Sequence, residues 1–131
     1  MSKRPDFAHN LADGFATTGQ VAAHYDRSKV RAAGSMDTTI EDFAKFLAGL
    51  MRGEGLSAAG LGVIVRDGPQ GPAFFKGGHF DSTGNTWVCL TAQARCVALL
   101  ANDVRAEALF PGLVGFILGE TGTPWDWESG R

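Results

Sequence analysis

The sequence predicts an α+β protein, an antiparallel β-sheet flanked by helices. Three observations predict it. An amphipathic stretch at residues 39–52 has helical spacing. Four short runs rich in β-branched and aromatic residues follow between residues 61 and 103, each ended by turn residues. A strongly apolar stretch near residues 110–119 then closes the chain. A helix, a run of strands and a last helix leave no room for alternating βαβ units, so the sheet is expected to be antiparallel.

Taken in order, residues 1–35 carry little pattern. Asp13-Gly14 and Thr18-Gly19 are turn dipeptides able to close a small hairpin, and the rest is expected to be extended or irregular structure that packs on something else. Residues 36–56 form the helical segment. Thr38 or Thr39 can serve as N-cap, with Glu41 or Asp42 three residues on, and Ile40, Phe43, Ala44, Leu47, Leu50 and Met51 form one apolar stripe expected in the core. Gly53 and Gly55 end it. Residues 60–131 hold the sheet: "LGVIVRDG", "PAFFKGG", "NTWVCLTA" and "RCVALLAND" read as strands, the last two joined by a tight turn around Ala92–Ala94. Residues 96–101 are apolar on both faces, which predicts cover on both sides of the sheet. The closing helix runs from about Phe110 to Gly119. Pro111 sits in its first turn, where a missing N–H costs nothing.

The two cysteines, Cys89 and Cys96, fall on adjacent strands of this reading. A turn at Ala92-Gln93 sets them directly opposite, and a turn at Gln93-Ala94 makes them diagonal neighbours. Either way they share a face, because side chains alternate with period two. Two cysteines make no disulfide framework and no metal pattern. With no apolar leader in "MSKRPDFAHNLADG", the chain is expected in the cytoplasm with free thiols, in a geometry that permits a bridge in air.

At 131 residues the chain is expected to be a single domain or fragment that buries roughly two-thirds of its unfolded surface. A net charge of −2, with basic residues scattered among acids, excludes a nucleic-acid surface, and no apolar run reaches the ~18 residues of a membrane span. No nucleotide loop, dinucleotide fingerprint, zinc-protease motif or Gly-x-Ser-x-Gly elbow occurs, so no cofactor or metal is expected. His9 and His24 are expected at the surface. Trp125 and Trp127 suit a carbohydrate or aromatic pocket, although packing against the sheet is the simpler reading.

The chemistry concentrates in "FFKGGHFDSTGNTWVCL", residues 74–90. Glycines beside hydroxyls let a backbone approach a ligand closely, and His79 can act as acid or base near neutral pH. Taken alone, such a stretch is more often a solvated strand connection.

Together with "AAGSMDTTIEDFAKFLAGLMRGEGLS" and "RCVALLANDVRAEALFPGLVGFILGETGTPWDWE", this stretch resembles the C-terminal part of the serine β-lactamase and penicillin-binding-protein-like hydrolases, among them class C β-lactamases and related esterases. The resemblance runs from about residue 5 to 128 and is weakest between Ala58 and Gly71. In that superfamily a Lys-Thr-Gly strand, often continued as Ser-Thr-Gly, lines the site, and esterase-like members often carry His for the Lys. The resemblance implies two registers here. One keeps the lysine, at Lys76-Gly77-Gly78. The preferred one puts His79 in its place and keeps the continuation at Ser82-Thr83-Gly84. Phe80 and Asp81 depart from the pattern.

It further implies acyl transfer from an ester or amide, for which the family uses Ser-x-x-Lys and a second Tyr-x-Asn or Ser-x-Asn. None of the serines, Ser2, Ser28, Ser35, Ser57, Ser82 and Ser129, has lysine at i+3, and neither second motif occurs. No catalytic residue is therefore expected in this chain. It would supply a substrate-binding wall from Lys76, His79, Ser82, Thr83 and Gly84, acting on an ester or amide only if a second chain completes it. The alternatives are a non-catalytic interaction module or one chain of a split hydrolase. Self-association is expected in either case, through an edge strand and an apolar patch left uncovered.

Overall fold

In the computed structural model, residues 11–23, 38–54 and 62–126 are described. They form a small α+β fold: a two-stranded antiparallel sheet, a four-stranded antiparallel sheet and two α-helices. Strands β1 (Gly14–Phe15) and β2 (Val21–Ala22) make the small hairpin, turning at Thr18-Gly19; Asp13-Gly14 lies at the start of its first strand instead. The main sheet is a meander of β3 (Ile64–Gly68), β4 (Gly71–Phe80), β5 (Thr83–Leu90) and β6 (Arg95–Ala101), neighbours in sequence being neighbours in space.

Helix α1 spans Ile40–Met51. Thr39 is its N-cap, its hydroxyl accepting the Asp42 amide at 3.1 Å, which satisfies one of the amide donors the helix cannot bond itself. Asp42 also accepts from Lys45 at 2.7 Å, and this hydrogen bond holds the Asp42 carboxyl below its ordinary range. Replacing Thr39 by alanine should lower stability by about 1 kcal/mol, read as a shift of the urea midpoint at unchanged slope. The buried stripe is narrower than the sequence suggests. Leu47 and Leu50 are buried and Phe43 and Met51 partly so, but Ile40 and Ala44 stay exposed.

The two helices cover opposite faces. On one, Leu47 and Leu50 of α1 pack with Phe74, Trp87 and Cys89, with Trp87 edge-on to both Phe74 and Phe43. On the other, Val114 and Leu118 of α2 (Phe110–Leu118) pack with Ala73, Phe75, Val88, Leu90 and Val97. Pro111 lies in the first turn of α2 as expected. The end of this helix is tied to the sheet: Gln70 donates to the Leu118 and Glu120 carbonyls at 2.7 and 2.8 Å, and Arg95 to that of Ile117 at 2.6 Å. Those bonds occupy carbonyls that a helix end leaves open. Trp125 packs against the same cluster, and Trp127 lies outside the described residues, as do His9 and His24.

Cys89 and Cys96 stand directly opposite, as the first of the two turn registers requires, with Cα atoms 4.1 Å apart. That is the narrow kind of antiparallel pair, where side chains approach most closely. The loop between them is longer than two residues: a 3₁₀ turn at Thr91–Gln93, then Ala94 at φ 50°. The expectation of free thiols is corrected, since the two sulfurs form a disulfide. A 3₁₀ segment at Val104–Leu109, between β6 and α2, has no counterpart in the sequence reading. Among the described residues no helix is long and apolar enough to cross a membrane.

Candidate functional site

Strands β4 and β5 extend further into the polar stretch than composition suggests. Phe80 pairs with Thr83 and His79 with Gly84, so the chain reverses in only two residues, Asp81 and Ser82. Strand alternation then sorts the five candidate residues. His79 and Gly84 share the face that carries α2, whereas Lys76 and Thr83, offset by odd steps, occupy the face that carries α1. Ser82 is buried in the turn, where β1 crosses it so closely that a Cβ on Gly14 would lie 2.5 Å from the Ser82 hydroxyl oxygen. The two registers of the resemblance thus point to opposite sides of the sheet. The structure brings together His79 and Gly84 and separates them from Lys76, Ser82 and Thr83.

His79 borders a cleft of about 120 Å³. Phe75, Phe110, Pro111 and Trp125 give it apolar walls, and Thr86, Glu107 and Thr123 add polar groups. Glu107 belongs to the 3₁₀ segment, which Asp103 precedes as N-cap. The Asp103 carboxylate caps the segment by accepting the Arg105 amide at 2.9 Å, and the Arg105 side chain donates to it as well, holding that carboxyl below its ordinary range. Upstream, Asn102 donates to the Asp13 carbonyl at 2.8 Å, joining β1 to the same corner. The segment directs Glu107 back over β5, where its Oε1 lies 3.7 Å from His79 Nδ1. Gly84 allows this approach: a Cβ there would stand 2.5 Å from the Glu107 Cγ. Thr121 and Thr123 share a hydroxyl–hydroxyl bond of 2.7 Å beside the cleft.

His79 is about half exposed at the cleft mouth, where a ligand can reach its ring. A volume of this size holds a handful of heavy atoms, well under the ~300 Å³ at which drug-sized pockets begin. Among the described residues no group of three or more His, Cys, Asp or Glu side chains converges on a metal position.

Glu107 and Thr123 were not legible beforehand, whereas Trp125 packs against the sheet as the sequence suggested and also walls the cleft. Glu107 sits in a 3₁₀ turn, which has no hydrophobic period, and its partner is far away in sequence. The separation of Lys76 from His79 was not legible either, because it requires β4 to run on through His79, where residues three apart face opposite ways. No protein-family model, curated protein or solved structure matches this chain.

Proposed function

We propose that this chain is the substrate-binding portion of a β-lactamase-like serine hydrolase, without turnover of its own, and that the cleft at His79 receives part of an ester or amide substrate. The observation that carries this reading is the pairing of His79 and Glu107 over Gly84, at the mouth of a small apolar-walled cleft. A histidine ending a site-lining strand is what the resemblance to esterase-like members implies. With the nucleophile supplied by a second chain, His79 would hydrogen-bond the substrate and assist proton transfer. The walls of Phe75, Phe110 and Trp125 would hold an apolar substituent.

Binding is tested by following backbone amides in solution while a short-chain ester and its amide analogue are added. Shifts confined to Gly77, His79, Gly84 and Glu107 are expected. The Gly84→Ala variant, which displaces Glu107, should weaken binding about tenfold or more, at most a few kcal/mol. No shift at millimolar ligand would sink the reading. A non-catalytic interaction module is the second reading, favoured by the open apolar surface beside β6.

A further inference from the structure

β6 is the edge of the main sheet among the described residues, because β1 meets the chain only past its end, at Asn102 and Asp103. Its outer side opens on a groove of about 450 Å³. The groove is floored by Ala98–Ala101, with Ile40 of α1 above one face and Leu109 and Leu113 above the other. Nothing charged lies between Cys96 and Ala101, so the edge lacks the lysines or prolines that usually block strand pairing. Alongside, Leu109 at the end of the 3₁₀ segment and Leu113 and Phe116 of α2 form a stripe at i, i+4 and i+7, with Phe116 91% exposed.

We propose that two copies of this chain pair antiparallel through β6, joining both four-stranded sheets into one across a two-fold axis at Ala98. In that register Val97 faces the partner's Leu99 and Cys96 the partner's Leu100, so each copy presents the same surface to the other, as a two-fold interface requires. The helix position supports the same geometry. α2 contacts both β5 and β6, about one strand spacing in from the seam, so the two α2 helices would stand ~10 Å apart, the separation of packed helices. Their stripes of Leu109, Leu113 and Phe116 would then meet. The exposed parts of Ile40, Leu100, Leu109, Leu113, Phe116 and Ile117 supply on the order of 600 Å² of apolar surface per copy, close to the ~800 Å² a side of a standard interface before backbone is counted. The proposal does not depend on the hydrolase reading.

Light scattering across a dilution series tests it, with Leu100→Lys at the edge and Phe116→Lys on the stripe. Both side chains are exposed, so both variants should keep the wild-type circular dichroism. The wild type should be a dimer, and each variant should raise its dissociation constant at least tenfold. A monomer at every concentration overturns the proposal, since the edge is then covered within one copy. A dimer indifferent to both substitutions also overturns it, by placing the interface elsewhere, such as an exchange of N-terminal residues.

Discussion

Purified alone, this chain should hydrolyse neither an activated short-chain ester nor a chromogenic β-lactam above the solvent rate. Removing the serine from a triad-like site costs about a million-fold in rate, which sets the scale of the activity expected to be missing. The sequence lacks the expected nucleophile motif, and the structure describes the surroundings of one serine. No serine in the 131 residues has lysine three positions on. Ser82, the one serine among the described residues, is buried in the β4–β5 turn, and the Gly14 backbone crosses it too closely for a substrate carbonyl to approach. The hydroxyls that share the cleft with His79 are those of Thr86, which donates to the Lys76 carbonyl at 3.3 Å, and Thr123, which is bonded to Thr121 at 2.7 Å, while Cys89 and Cys96 are joined to each other. The measurement is a progress curve with each substrate, together with a serine-directed covalent probe. Stoichiometric labelling at one residue would refute the expectation.

The largest expected effect on stability is that of Phe75→Ala. Phe75 is 2% exposed and lies on the α2 face against Val88, Val114 and Leu118. Truncating a buried phenylalanine costs about 3–5 kcal/mol, through lost transfer energy and a cavity that the surrounding chain fills only in part. A domain of this size has roughly 5–15 kcal/mol in total, so a large part of its margin goes. The same ring is a wall of the His79 cleft, and the variant should therefore lose ligand binding as well. Urea denaturation should show the midpoint falling steeply at nearly constant slope. Val65→Ala, at an exposed position on edge strand β3, should move it by less than about 1 kcal/mol. Equal effects at the two positions would mean that the core does not lie where Phe75 packs.

Local chemistry was enough for much of the scaffold. The helix at Ile40–Met51 with a threonine cap, the four main strands in their order, the Pro111 helix start and the shared face of Cys89 and Cys96 all follow from short-range causes: apolar period, side-chain caps and strand alternation. Cover on both faces of the sheet followed from the apolar run in β6. Three features depended on long-range packing. The stretch from Lys76 to Gly84 carries glycines and hydroxyls that suggest an open loop. Pairing along β4 and β5 draws all but two of its residues into a hairpin, because each added strand pair satisfies backbone groups that a loop would leave to water. That hairpin, through strand alternation, splits the candidate residues between two faces. Glu107 reaches His79 only because the chain after β6 turns back over Gly84, a contact between residues 28 positions apart that no periodicity encodes. The exposed stripe of α2 is the third. Leu113, Phe116 and Ile117 are as apolar as Phe110, Val114 and Leu118 in sequence, and only the position of the sheet decides which three are buried.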